Sequence, residues 1–252
     1  MLAATVAAAS LVVAPIRAAE IIGVAETIEN RVSGELPGAR RTLRPEADVH
    51  LHEIIRTEAQ SAARLRFADN SDLRLGPQAQ IRLDGVVYSG KPGAAMQLTK
   101  GALRFFSGNG PAGSYQIRTP VATIGLRGTG VGVVLSGGRA YVTLLEGAAR
   151  VCTPSGQCSD LVNRCDYVAV DRSRADPARP LTAAVPTFNA VCSGAACGAP
   201  LCTVSAAAPA PDRSATPPSP PTRGSYGYDP AGGGTAGGGG NAGGAGGSSG
   251  KR

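Results

Sequence analysis

Residues 63–77 read ARLRFADNSDLRLGP, and the spacing of their apolar side chains decides the fold class. Ala63, Leu65 and Phe67 alternate with Arg64 and Arg66, so one side of an extended chain is apolar and the other charged. Asp69-Asn70-Ser71-Asp72 is a turn signal, after which Leu73 and Leu75 resume the alternation. The stretch reads as a β-hairpin with its large apolar side chains toward a core.

The same pattern extends in both directions between Ile21 and Val170, in short runs broken by Gly, Asn, Asp and Pro. AQIRLDGVVYSG (79–90) has a turn signal at Asp84-Gly85. MQLTKGALRFFSG (96–108), YQIRTPVATIGLRGTGVGVVL (115–135) and RAYVTLLEGAARVCTPSG (139–156) follow, with Gly137-Gly138 and Ser155-Gly156 as further turns. Long amphipathic helical periodicity is absent. The prediction is an all-β fold: an antiparallel sandwich or roll, or a short β-helix-like stack, of about ten to twelve short strands.

These blocks resemble the FecR domain family. The family sets an extended "T...S.A.L.F.DGS.L.L.P.S...L" hairpin before "G.LR", then "I.TP.A....RGT.F.V", and last "V..L.G.V.V". Here the counterparts are IIRTEAQSAARLRFADNSDLRLGPQAQIRL, LTKGALRFFSG, YQIRTPVATIGLRGTGVGVVL and YVTLLEGAARV, in order over about residues 45–152. Two positions depart. Asn70 replaces the usual turn glycine, a small change because Asn also tolerates a left-handed conformation, and Gly130 stands where the family often has an aromatic, which predicts local packing space. The resemblance implies an extracytoplasmic β-rich module of the bacterial envelope. The family's best-known members relay the ligand state of an outer-membrane transporter to a cytoplasmic sigma factor, through a cytoplasmic segment placed before a membrane helix. As the sequence given opens directly on an apolar run, the expectation is that it corresponds to the sensing or docking half alone.

Within TPVATIGLRGTGVGVVL (119–135), Arg127 is a charge among apolar and glycine positions. Such a charge is costly unless paired, or else marks a site. With Gly125 and Gly128 letting backbone come close, the expectation is a buried or half-buried clamp, with Glu146, Asp69 or Asp72 as partner. An arginine gripping a ligand carboxylate or phosphate is the sharper alternative. Thr119, Pro120, Gly125, Gly128, Thr129 and Gly147 complete this expected structural motif as backbone-shaping residues.

His50 and His52, in VHLHEII, are expected on one face of a strand with Glu53 on the other. Two imidazoles alone do not make a metal site, and a solvated polar face is preferred. The DNSD carboxylates lack the ligand alternation of a calcium loop, so a turn is preferred there as well. Between Ile21 and Val170 the sequence contains no GxSxG elbow and no phosphate-binding loop, and GLRGTG is followed by no helix that would hold phosphate. The expectation is a non-enzyme without cofactor or metal.

The net charge of +7 and pI near 9.4 invite nucleic acid as a partner. The arginines are scattered and often lie beside acids, as in RTEAQSAARLRFAD (56–69), with no basic stripe interleaved with aromatics. No nucleic-acid role is expected.

The opening run MLAATVAAASLVVAPIRAAE is short and alanine-rich for a spanning helix and ends in small residues. It reads as a signal peptide over residues 1–19, cleaved after Ala18 or Ala19, although no basic residue precedes the apolar run. A membrane anchor or core helix is the rival, and membrane contact is expected only if this segment stays uncleaved.

Cys152, Cys158, Cys165, Cys192, Cys197 and Cys202 are even in number and fit disulfides in an oxidising compartment. Their spacings are not the tight CxxC pairs of zinc sites, and the pairing is left open. The expected organisation is a signal peptide (1–19), a β domain (20–170), an irregular cysteine-containing segment (171–205) and a tail (206–252), proline-rich and then glycine-rich, that cannot bury enough surface to fold.

Together these readings point to a non-catalytic exported module, periplasmic or secreted, that docks an envelope protein or small ligand. Two alternatives remain: a membrane-anchored sigma-factor regulator whose cytoplasmic segment lies upstream, and an envelope glycan-acting enzyme with paired carboxylates in a cleft.

Overall fold

Alternating side chains translate into strands throughout the computed structural model, which describes residues 19–84, 94–110 and 113–203. The chain divides into two units, 1–208 and 209–252, and every described residue lies in the first. Residues 1–18 of the expected signal peptide, the tail from 204 onward and Gly85 of the expected Asp84-Gly85 turn lie outside the described residues.

The strands are β1 (Ile21–Glu29), β2 (Val32–Leu36), β3 (Ala39–Thr42), β4 (Asp48–His50), β5 (Ile54–Thr57), β6 (Ala62–Phe67), β7 (Asp72–Leu75) and β8 (Gln80–Leu83). They continue as β9 (Ala94–Lys100), β10 (Ala102–Phe106), β11 (Tyr115–Arg118), β12 (Thr123–Ser136), β13 (Arg139–Cys152), β14 (Cys158–Leu161), β15 (Asp166–Val170) and β16 (Arg179–Pro180). One short helix follows, α1 (Phe188–Val191), capped by the Thr187 side chain. The all-β expectation is met, with 16 strands among the described residues where ten to twelve were expected. The additions include β3 (ARRT), β14 (CSDL) and β16 (RP), short segments without the apolar alternation that marks a half-buried strand.

The β12–β13 hairpin is the spine. One edge of β12 is shared: β11 pairs with its first residues, Thr123–Leu126, and β10 with Gly130–Val134. The sheet therefore leaves the spine as two arms, β11-β9-β8-β5-β2-β3 and β10-β7-β6-β1-β4. Pairing is antiparallel except between β9 and β11, which run parallel because the intervening β10 belongs to the other arm. This makes the sheet mixed rather than wholly antiparallel.

Both arms contribute to a single core, with Ile55, Ile81, Leu98 and Ile117 from one and Leu65, Leu73, Leu75 and Leu103 from the other. Phe105 of β10 and Tyr115 of β11 meet across it with ring centroids 5.5 Å apart. The far ends of the arms also meet: Arg41 of edge strand β3 donates to the carbonyl of Asp48 in edge strand β4. The sheet is curled on itself, as apolar-inside, polar-outside strands require when no helix layer is available to cover them.

Candidate functional site

The residues singled out in sequence converge on the middle of the spine, where the two arms part. Register between β12 and β13 shifts between Arg127 and Gly130, opposite Glu146 and Ala148. Gly128 (φ 57°) and Gly147 (φ 74°) both adopt left-handed backbone there, and a Cβ on Gly147 would lie 2.1 Å from the Gly128 carbonyl oxygen. Thr129 is fully buried and stitches the bulge together. Its hydroxyl accepts from the Arg127 N–H (2.8 Å) and donates to the Ala148 carbonyl (2.6 Å). Its N–H donates to Ser107 Oγ (2.8 Å), tying the bulge to the residue after β10. Thr119 acts similarly one turn earlier, its hydroxyl accepting from the Ala122 N–H (2.8 Å) and its own N–H donating to the Ala122 carbonyl (2.8 Å) around Pro120.

Arg127 itself is not the buried clamp expected of it. Leu126 is buried, so strand parity directs Arg127 outward, and it is exposed, as is Glu146. Among the described residues its guanidinium is in no ion pair. The other proposed partners are taken: Asp72 by Arg64, Arg66 and Arg74, and Asp69 by Ser71 and Tyr115. Gly125 is likewise not a point of close approach, since a Cβ there would meet nothing within 4 Å. At Gly130 the expected packing space is absent, because the Phe106 ring occupies it, 2.4 Å from where a Cβ would stand.

Among the described residues the buried arginine is Arg104, in the ALRFF strand β10. It lies side by side with Arg74, which pairs in turn with Arg64, so three arginines line up across β10, β7 and β6. Burial opposes ionisation of the neighbouring Asp72, but hydrogen bonds from Arg64 and Arg74, with their charges, outweigh it and hold the carboxyl below its ordinary range. Arg104 is 2% exposed and reaches away from Asp72 into the segment after α1. It donates to the carbonyls of Cys197 (3.2 Å) and Ala199 (3.0 Å) and to Asn189 Oδ1, and it lies 4.9 Å from the Phe188 ring centroid. Burial and the adjacent Arg74 push its pKa down to about 10, still far above physiological pH. Alternation in ALRFF assigns Arg104 to the outward face, which ordinarily means solvent. The cover comes from residues about ninety positions later, which no local pattern signals.

His50 and His52 do not share a strand face. β4 ends at His50, and His52 sits in the following turn with φ 65°. Glu53 is fully buried and accepts two hydrogen bonds from Arg41 (3.0 Å each) and one from the His50 N–H (2.9 Å). A Cβ on Gly34 would collide with it at 1.8 Å, so Gly34 makes room for this seam. No cluster of three or more metal-ligating side chains occurs among the described residues. The DNSD stretch is a turn: Asn70 is left-handed (φ 68°), and Asp69 accepts from the N–H and hydroxyl of Ser71 and from the Tyr115 hydroxyl. A cleft of about 630 Å³ is lined by residues including Glu35, His52, Asp84 and Arg118, with Glu35 bound to Arg56 and Asp84 to Arg82. The six cysteines pair as Cys152–Cys158, Cys165–Cys202 and Cys192–Cys197.

No curated protein matches the chain. Two solved structures of a candidate anti-sigma factor from Parabacteroides distasonis align at 13% identity and a TM-score of 0.41, over 49% of this chain and 56% or 57% of theirs. The chain thus spans little more than half the length of those proteins. Residues 53–150 match the FecR protein family, a stretch that runs from the buried Glu53 through the arginine row and the double bulge to Arg150 of β13. Within residues 53–150 this chain carries a FecR domain.

Proposed function

We propose that the protein is a non-catalytic, exported FecR module of the bacterial envelope that docks another envelope component and takes part in envelope signalling. The observation that carries the reading is the FecR match over residues 53–150. Two structural features support it. Three disulfides fit an oxidising compartment, and the double bulge leaves Arg127 and Glu146 exposed at the point where both arms of the sheet join. An exposed, opposite-signed pair on a rigid scaffold suits a contact surface better than a reaction centre.

The test combines intact mass and N-terminal sequencing on cell fractions with site-specific photocrosslinking at position 146, which is exposed beside Arg127. The expected result is a chain beginning at Ala19 or Glu20 in the periplasmic or secreted fraction, without free thiols, and one crosslinked envelope species that R127E abolishes. A reduced, full-length protein in the cytoplasm would overturn the reading. An uncleaved chain in the inner membrane would instead favour the anchored sigma-factor regulator.

A further inference from the structure

The segment 185–203 crosses the outer face of the β10 arm as a strap. Phe188, Cys192, Ala196 and Cys197 form a small apolar cluster with Ala62, Ala102 and Val134 on that face, separate from the main core. Polar contacts hold the strap at both flanks. Arg104 donates to the Cys197 and Ala199 carbonyls, and Glu29 of β1 accepts from the Ala196 N–H (2.8 Å). Its end is pinned to the loop before β15 by Cys165–Cys202, reinforced by Arg164 donating to the Leu201 carbonyl (3.2 Å).

The two disulfides of this strap differ in access. Cys165 and Cys202 are half-buried near the surface, whereas Cys192 is 2% and Cys197 0% exposed, packed between the strap and the sheet. The docking also has an internal weakness, because Arg104 Nε is buried without a partner among the described residues. Water would satisfy that donor when the strap lifts, so docking exchanges hydration of a guanidinium for incomplete hydrogen bonding and a small apolar cluster.

We propose that the strap is a thiol-gated cover that opens in a fixed order: a dithiol reductant opens Cys165–Cys202 first, and only the lifted strap exposes Cys192–Cys197 to attack. In each step a thiolate of the reductant attacks one cysteine sulfur and expels the other as a thiolate. The reductant's second thiol then resolves the mixed disulfide, leaving two protein thiols and a cyclic disulfide on the reductant, with two electrons and two protons transferred to the protein. Opening uncovers Arg104 beside Arg74 and frees the strap that leads into the tail. The device does not depend on what the FecR domain binds.

The test is timed reduction of the full oxidised chain with dithiothreitol, quenched by alkylation and mapped by peptide mass. Cys165 and Cys202 are expected to label at least ~10-fold sooner than Cys192 and Cys197, because access limits exchange at the buried pair. In C165S/C202S, and separately in Arg104→Leu, labelling of Cys192 and Cys197 should accelerate by about tenfold or more, while Cys152 and Cys158 keep their rate as a control for intact folding. Equal rates for the two strap disulfides in the native chain would overturn the proposal. So would an unchanged Cys192–Cys197 rate in C165S/C202S.

Discussion

Within the RGT motif the two polar residues carry opposite energetic weight. The Thr129 hydroxyl is buried and used as both donor and acceptor, so Thr129→Val strands the Arg127 N–H and the Ala148 carbonyl and should cost about 1–3 kcal/mol. Arg127 is exposed and unpaired among the described residues, so Arg127→Ala should stay within about 0.5 kcal/mol of the native protein. Urea unfolding of both variants checks the pair, and a larger loss in the arginine variant would refute the assignment. Asp72 gives a pH prediction. Its folded carboxyl ionises below its ordinary value, so the stability it contributes is complete above the unfolded pKa of 3.8 and is lost as pH falls below that value. Asp72→Asn should therefore be destabilised at pH 7, and its urea midpoint should fall less than the native one between pH 5 and pH 2.5.

Among the elements, the β12–β13 spine sets the architecture because its bulge allows one strand edge to serve two arms. The glycines there are not equivalent. Gly147→Ala forces a Cβ against the Gly128 carbonyl in a left-handed conformation and should cost about 2 kcal/mol or more, whereas Gly125→Ala meets open space and should be neutral. Thermal unfolding of the two variants separates them, and equal losses would contradict the bulge geometry. The disulfides rank by the loop each closes. Cys165–Cys202 spans 37 residues and Cys152–Cys158 spans 6, so chain entropy gives about 4 kcal/mol for the first and about 2 kcal/mol for the second. C165S/C202S should then lower the urea midpoint more than C152S/C158S.

At the scale of the whole molecule the main core contains no cysteine, whereas the strap's small cluster contains Cys192 and Cys197. Full reduction should therefore release the strap but leave the curled sheet folded. The expected outcome is a retained far-UV strand signal and a cooperative unfolding transition at lower denaturant. Loss of the transition at zero denaturant would show that the disulfides hold the sheet itself together. The strand order joins segments distant in sequence, such as β1 with β6 and β10 with β12, so folding should take milliseconds to seconds.

The sequence by itself determined the strand class, the DNSD hairpin and the turn at Gly137-Gly138, because period-two alternation and turn chemistry act over a few residues. It also supplied the order of motif blocks that marks the FecR domain. Tertiary structure alone decided which arginine is buried. Arg127 looked exceptional among apolar neighbours, yet its outward-facing side chain is left uncovered. Arg104 looked ordinary, yet a strap from far along the chain covers it. The same holds for Gly130, where the Phe106 ring fills the space, and for Glu53, which is buried because both ends of a curled sheet meet around it. Burial of an outward-facing side chain depends on what later packs over it, and that is a property of the closed fold rather than of any local run of residues.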